Sequence, residues 1–194
     1  MEIGHKQKRS QNIVLDASSV IDLIEIGLLE VVLALPYYRF GLPHESFEEI
    51  KRPFQRACVE AAIQSSTLAL LVIDDPAEMA LKEEIAKRLG AGEAACLAIA
   101  ITRGWGFACE ERNRKFEREI AQRLGEARVF RVEDLLATVV REGLRSMAEI
   151  TTSILEAAAS CISIGEAEKR GHLERIHARV RALLMETKAE ATLE

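Results

Sequence analysis

NIVLDASSV, residues 12–20, is the stretch that decides the fold of this 194-residue chain. Residues 13–15 are apolar, and a short run of this kind is typical of a strand buried on both faces in a parallel sheet. Asp16 follows directly, and ligands of open α/β sheets bind beyond the carboxyl ends of the strands. Asp16 is therefore predicted to cap the following helix or to bind a cation, with Ser18 or Ser19 as an alternative cap.

The composition indicates one domain of ordinary size with an aliphatic core and room for an appendage. Apolar residues make up 48% of the chain, aromatic residues 5%, and the formal net charge is −5. This acidic balance provides no global attraction for a polyanion, although a local basic patch would be enough for phosphate contact.

The cysteine pattern and the N-terminus bear on the cellular compartment. The four cysteines are scattered, which argues against a zinc site built from thiolates. Residues 1–11 are polar and basic, so we expect a mobile N-terminus there rather than an export signal. No apolar run approaches the ~20 residues that a membrane-spanning helix needs. Together these features predict a cytoplasmic protein with reduced thiols and no membrane contact.

Predicted strands alternate with predicted helices, which favours a parallel sheet covered by helices on both faces. Further strands are predicted over residues 38–42, 67–73, 105–109 and 128–132. A different pattern begins near Gly165, where apolar residues recur at helical spacing among many basic ones. We expect this tail to form an amphipathic helix that docks on the domain, on a second subunit or on a partner.

Four carboxylates fall near the ends of predicted elements: Asp16, Glu49, Glu93 and Glu111. In a parallel sheet Asp16 and Glu111 lie at the same edge, and Glu93 at a helix start is able to point into the same crevice. Carboxylates gathered in this way repel one another unless a cation joins them. Ligands that are all oxygen favour Mg²⁺ or Mn²⁺, so the pattern predicts a site for one of these ions.

Each of these acids also has a purely structural interpretation. Glu93 is a favourable charge at the start of any helix. Glu49 and Glu111 each have an acidic neighbour, Glu48 or Glu110, and either could be a solvated surface residue. The order of the four acids along the chain is more specific than any one of them.

The motifs around the four acids resemble those of the PIN-domain family of metal-dependent ribonucleases. The first motif is IVLDAS at residues 13–18, and the second is LPHESFEEI at residues 42–50. The third and most specific is LGAGEAACLAIA at residues 89–100, and the fourth is FACEER at residues 107–112. The likeness covers residues 12–150 approximately.

The resemblance implies a three-layer α/β/α fold with a central parallel sheet. A PIN-like nuclease domain would span residues 12–150, and residues 151–194 would form a C-terminal helical extension. The activity implied is Mg²⁺- or Mn²⁺-dependent hydrolysis of phosphodiester bonds in single-stranded RNA by a metal-activated water. Many relatives are toxins of toxin–antitoxin pairs, so an antitoxin protein and a second copy of the chain are the further partners implied.

Roles carry over to residues that match the motifs. Asp16, Glu93 and Glu111 would be metal ligands, and Glu49 would be a ligand or a group that orients the water. Together they form the implied catalytic set. Ser18 matches a small polar position that supports the site and its substrate.

One departure from the family pattern concerns the fourth acid. It is normally aspartate, whereas both candidates here, Glu110 and Glu111, are glutamate, and Cys109 stands where a hydroxyl residue is usual. The longer arm shifts the geometry of a bound metal. An alternative is therefore a catalytically weak or inactive PIN-fold protein that binds RNA or a protein partner.

Basic residues follow the fourth acid on a predicted helix: Arg112, Arg114 and Lys115. They are predicted to contact substrate phosphates without reading bases. The alternative is a solvated face whose charges pair with glutamates of the same helix. A phosphatase with Asp16 as its nucleophile is disfavoured, because Ser18 occupies the position where that chemistry normally needs a second aspartate.

Overall fold

The computed structural model describes residues 10–112, 114–161 and 166–192, so most of the predicted mobile segment 1–11 lies outside the described residues. The strands are β1 (Gln11–Leu15), β2 (Tyr38–Pro43), β3 (Leu68–Leu71), β4 (Gly106–Ala108) and β5 (Val129–Phe130). The helices are α1 (Ala17–Glu25), α2 (Leu29–Leu33), α3 (His44–Glu49), α4 (Pro53–Gln64), α5 (Pro76–Ala86), α6 (Ala91–Thr102), α7 (Arg114–Arg123), α8 (Val132–Arg141), α9 (Met147–Ser160) and α10 (Ala167–Thr192).

The strands form one parallel sheet with the order β3-β2-β1-β4-β5. The chain winds outward from β1 to β2 and β3, then crosses to the other side of β1 to form β4 and β5. β1 is thus the strand at which the winding changes direction, and ligands of such sheets bind outside its carboxyl end. Leu15, its last residue, pairs with Ala108 at the end of β4. The two carboxyl ends therefore share one edge of the sheet.

Helices cover both faces of the sheet, which confirms the predicted three-layer α/β/α fold. Ile13 and Leu15 enter one apolar core, and Val14 enters the other. Alternate residues of a strand point to opposite faces, and helices cover both faces, so all three side chains are completely buried. This burial explains why residues 13–15 contain no polar side chain.

The small-residue helix α6 brings its first turn close to the sheet edge. It packs against β1, β2, β4 and α3, and its side chains from Ala94 to Ala100 are completely buried. Alanines allow a helix to approach its neighbours closely, since they add little volume. As a result the start of α6 lies beside the carboxyl ends of the strands.

The C-terminal helix α10 docks on the domain itself, one of the predicted alternatives. It packs against α8 and α9, and it buries Leu173, Ile176 and Val180. Arg141 of α8 donates a hydrogen bond to the carbonyl of Leu183 at 3.2 Å. None of the helices in the described ranges combines the length and the apolar character that crossing a lipid bilayer requires.

Candidate functional site

Asp16 lies at the point where β1 ends and α1 begins. It occupies the N-cap position of α1, but its side chain makes no capping hydrogen bond. The hydroxyl of Ser18 instead donates to Asp16 Oδ2 at 2.7 Å. Ser19 does not cap the helix either, because its buried hydroxyl has no partner among the described residues. The capping interpretations of these three side chains are therefore wrong, and Asp16 keeps its carboxylate for the cleft beside it.

That cleft has a volume of about 460 Å³ and lies at the carboxyl edge of the sheet. All four predicted acids line it, together with Ser18 and Glu110. The lining residues are Asp16, Ala17, Ser18, Ile21, Glu49, Glu93, Glu110 and Glu111. Side chains separated by up to 95 positions in the sequence thus meet in one negatively charged pocket.

Glu49 is the last residue of α3 and is held by the first turn of α6. Its Oε1 accepts a hydrogen bond from the backbone N–H of Gly92 at 3.0 Å. A Cβ atom at position 92 would lie only 2.5 Å from that oxygen, so any other residue there would displace the Glu49 carboxylate from its present position. Burial raises the pKa of Glu49 above its ordinary value, and the charge of Asp16 raises it further. Its neighbour Glu48 pairs with Arg56 instead.

Glu93 occupies the first turn of α6, where its Oε2 accepts a hydrogen bond from the N–H of Gly90 at 3.0 Å. Burial raises the pKa of Glu93, and the charges of Asp16 and Glu111 add to the effect. The helix start alone would favour a charged carboxylate. Burial, with a smaller contribution from the neighbouring acids, outweighs that preference and raises the pKa of Glu93.

Glu110 and Glu111 follow β4 and both face the cleft, but their surroundings differ. Glu110 Oε1 accepts a hydrogen bond from the N–H of Val132 at the start of α8 at 2.8 Å. Burial raises the pKa of Glu110 to about 7. Glu111 Oε1 accepts from the N–H of Arg112 at 2.9 Å. Arg131 donates to the carbonyls of Cys109 and Glu111, and so holds the backbone of this turn.

A buried thiol lies behind the strand-end aspartate. Cys96 Sγ is 4.0 Å from Asp16 Oδ1, 3.5 Å from the carbonyl of Leu15 and 3.3 Å from the hydroxyl of Ser46. Burial raises the pKa of Cys96 well above its ordinary value, so the thiol remains a proton donor. Cys96 was not predicted as a site residue. Its position one turn after Glu93 on the same helix was the available signal.

Three basic residues were predicted to contact phosphates: Arg112, Arg114 and Lys115. Arg112 donates to Glu133 Oε1 at 2.7 Å, which makes it a partner of a buried carboxylate. Arg114 is exposed at the start of α7, and the Lys115 side chain lies outside the described part of the chain. Among the described side chains, neither arginine is part of the cleft lining.

Three of the cleft acids have no cationic partner among the described residues. In the described ranges, Asp16, Glu49 and Glu93 form no ion pair with a lysine or arginine.

A family model described as a PIN domain matches residues 12–157. The chain belongs to the PIN-domain family. PIN domains are generally nucleases and generally use divalent metals. No curated protein and no solved structure gave a significant match to the chain.

Proposed function

We propose that this PIN domain is a Mg²⁺- or Mn²⁺-dependent endoribonuclease that hydrolyses phosphodiester bonds in single-stranded RNA. The observation that carries the proposal is the meeting of Asp16, Glu49, Glu93 and Glu111 in one cleft at the carboxyl edge of the sheet. Raised pKa values of Glu49 and Glu93 support it, because perturbed carboxylates gathered in a cleft are typical of functional sites.

The donor set suits a hard divalent cation. The acidic groups that line the cleft offer carboxylate oxygens, and such ligands favour Mg²⁺ or Mn²⁺ over softer metals. A divalent ion supplies a Lewis acid that lowers the pKa of a water molecule and takes up charge on a phosphoryl oxygen. Its positive charge would also offset the repulsion from Asp16, which adds to the effect of burial on the pKa values of Glu49 and Glu93.

The residues of the chain divide the remaining work. Asp16, Glu93 and Glu111 would hold the ion, and Glu49 would bind it or accept a proton from the attacking water. Ser18 orients Asp16 through its hydrogen bond to Oδ2, and we expect its backbone to lie near the substrate. Cys96 supports Asp16 from the buried side.

Substrate contact outside the cleft is assigned to the start of α7. Arg114 and Lys115 would hold RNA phosphates, whereas Arg112 would act there only by giving up its pairing with Glu133. We expect Arg114→Ala to weaken RNA binding for all sequences alike and to lower its salt dependence. Arg112→Ala is expected to lower stability as well, since it leaves Glu133 buried without its cation.

The biological role proposed is that of a toxin-type member that acts in the cytoplasm as a homodimer and is neutralised by an antitoxin protein. The nuclease domain is assigned to residues 12–150 and the helical extension to residues 151–194, although that boundary falls inside the continuous helix α9. Sequencing of the neighbouring reading frames would test the toxin assignment, since an antitoxin is normally encoded beside its toxin.

A second candidate is a non-catalytic PIN domain that binds RNA or a protein. The observation that favours it is at the fourth acidic position. Glu110 is engaged at the start of α8, and Glu111 carries a longer arm than the aspartate usual in the family. This candidate predicts tight RNA binding without cleavage.

The test compares wild type with Asp16→Asn on a single-stranded RNA in the presence of Mn²⁺. We expect the variant to lose cleavage by about a hundredfold or more while its circular dichroism spectrum stays unchanged. Asp74→Asn serves as the matched control, because Asp74 is an exposed acid outside the cleft. Equal cleavage by wild type and Asp16→Asn would contradict the proposal, and binding without cleavage by wild type would favour the second candidate.

A further inference from the structure

A second group of metal-binding side chains lies where the C-terminal helix meets α1. It consists of Asp22 of α1, Glu110 after β4 and His172 of α10. One possible ligand atom from each residue lies within 4.8 Å of the other two, and all three residues are half-buried. The group is distinct from the cleft in its chemistry, because it includes an imidazole nitrogen.

Two of the three side chains already touch. His172 Nε2 lies 2.6 Å from Asp22 Oδ2. One turn earlier on α10, Lys169 pairs with Glu25 of α1. These contacts hold the start of α10 against α1 and bring His172 within reach of the turn after β4.

Glu110 is the member of this group with an unsatisfied side-chain oxygen. Its side chain is only 6% exposed, and its Oε1 is bonded to the N–H of Val132. Its Oε2 has no hydrogen-bond partner among the described residues. Arg112 approaches that oxygen only to 4.0 Å and makes its short contact, 2.7 Å, with Glu133. A buried carboxylate oxygen without a partner is costly and indicates a missing ligand.

The local charge balance points the same way. Three carboxylates, those of Asp22, Glu110 and Glu133, face two cationic groups, Arg112 and His172. Glu133 Oε2 is a second buried oxygen without a hydrogen-bond partner in the described part of the chain. A metal-bound imidazole is neutral, so the proton of His172 leaves when a metal binds, and the two charges of a divalent ion are then balanced by the carboxylates of Asp22 and Glu110.

We propose that Asp22, Glu110 and His172 form a second metal site, which takes a divalent transition-metal ion of the Zn²⁺ type. Carboxylate oxygens with one imidazole nitrogen are a ligand set that Zn²⁺ accepts, whereas Mg²⁺ prefers oxygen alone. Zn²⁺ binds such atoms at about 2.0–2.2 Å, so small side-chain adjustments bring the three ligand atoms around one ion.

The site ties the C-terminal helix to the rest of the molecule. His172 lies beyond the part matched by the family model, which ends at residue 157. Glu110 belongs both to this group and to the lining of the acidic cleft. An ion bound here clasps α10 to α1 and to the turn that carries Glu110 and Glu111. The proposal stands independently of the ribonuclease activity.

The experiment measures Zn²⁺ binding to the full chain by titration calorimetry after removal of bound metal with a chelator. All proteins carry Asp16→Asn and Glu93→Gln, which remove two carboxylates of the cleft and leave the second group intact. His172→Ala is compared with His177→Ala. His177 is the matched control, because it lies on the same helix, is not one of the three proposed ligands, and forms a hydrogen bond of 3.1 Å with the hydroxyl of Thr151.

We expect one Zn²⁺ ion per chain in the parent and in His177→Ala. His172→Ala should lower the affinity by more than about a hundredfold, since even outer partners of metal ligands contribute about 10- to 100-fold. Co²⁺ absorption in the visible range provides an independent readout, and loss of the nitrogen ligand should change that spectrum. Absence of Zn²⁺ binding in the parent, or equal affinities of the two histidine variants, would overturn the proposal.

A second variant keeps the test decisive if His172→Ala does not fold. Asp22→Asn preserves the shape of the side chain and a hydrogen bond to His172 but weakens a ligand. We expect it to lower Zn²⁺ affinity and to leave the unfolding temperature of the metal-free protein nearly unchanged. Unaltered Zn²⁺ affinity in a folded Asp22→Asn protein would overturn the proposal.

Discussion

Two groups of carboxylates in this molecule have opposite surroundings: two buried acids at the periphery, and the acids of the cleft, of which Glu93 is half-buried and Glu49 exposed. At the periphery of α5, α6 and α7, Glu78 pairs with one arginine and Glu119 with two. Glu78 accepts hydrogen bonds from Arg103 and Thr102, so its pKa is lowered although burial alone would raise it. Glu119 pairs with Arg88 and Arg123, and its pKa is lowered despite burial for the same reason.

The cleft shows the reverse. Burial and neighbouring acids raise the pKa values of Glu49 and Glu93, and backbone N–H groups rather than arginines are their hydrogen-bond donors. Among the described residues, Glu78 and Glu119 thus have arginine partners, whereas Glu49 and Glu93 have none. A cluster of like charges kept without protein counter-ions is a property of sites that receive a cation from outside.

The largest expected effect is on activity and separates the two regions directly. Glu93→Gln should lower Mn²⁺-dependent RNA cleavage by about a hundredfold or more, because a metal ligand contributes more than the outer partners that are worth about 10- to 100-fold. Gln retains the hydrogen bond to Gly90. The measurement is the single-turnover cleavage rate with saturating Mn²⁺. The matched variant at the periphery, Glu78→Gln, should keep its activity at temperatures where it is folded, and similar losses in both would contradict the distinction.

The next effect concerns how the cleft is built. Gly92→Ala places a Cβ 2.5 Å from Glu49 Oε1, so Glu49 must move away from its donor. We expect Mn²⁺ affinity or cleavage to fall about 10- to 100-fold, as for other groups that orient metal ligands. Gly90→Ala is the control, because its Cβ would lie at an ordinary 3.5 Å from Glu93. If both alanine variants retained full Mn²⁺ affinity, the positioning role of Gly92 would be refuted.

In the presence of a chelator, which removes bound metal, the ionisation of Glu110 and the ionisation of Glu78 should change the stability of the protein with opposite signs. The pKa of Glu110 is raised from 4.5 to about 7, so its contribution to stability is complete below about pH 4.5 and is lost as pH rises through 7. The pKa of Glu78 is lowered, so its contribution is present above its ordinary value and is lost as pH falls through the lower one.

Urea unfolding at pH 4 to 8 measures these slopes. Relative to wild type, Glu110→Gln should gain about 1–3 kcal/mol between pH 4.5 and 7, since one pKa unit corresponds to about 1.4 kcal/mol. Glu78→Gln should have a lower free energy of unfolding than wild type at neutral pH, and this difference should shrink only at acidic pH. Parallel curves for the two variants would show that the regions do not differ in this respect.

The smallest expected effect lies at an exposed pair of the periphery. Arg123 contacts Glu84 at 2.6 Å, but the Glu84 side chain is half exposed. Glu84→Gln should change the free energy of unfolding by less than about 1 kcal/mol, as is usual for surface ion pairs, and should leave cleavage unchanged. A larger loss in thermal unfolding would mean that the arginine network acts as one cooperative unit.

Local patterns were enough to predict most of the framework. The apolar run at residues 13–15 predicted the central strand, and helical spacing in the tail predicted a C-terminal helix, which the structure has as α10 (Ala167–Thr192). The acids were identified by their positions at element ends. Such patterns are readable because burial on one or both faces leaves a period of its own in the sequence.

What the sequence determined by itself is therefore the succession of strands and helices along the chain, the acids at their ends, and the amphipathic character of the tail. The tertiary structure alone decided that Arg112 pairs with Glu133, that Gly92 donates to Glu49, and that His172 meets Asp22 across 150 positions. These contacts depend on strand order and helix docking, which arise from the packing of the whole chain. No local period carries that information, because the partners lie far apart in sequence.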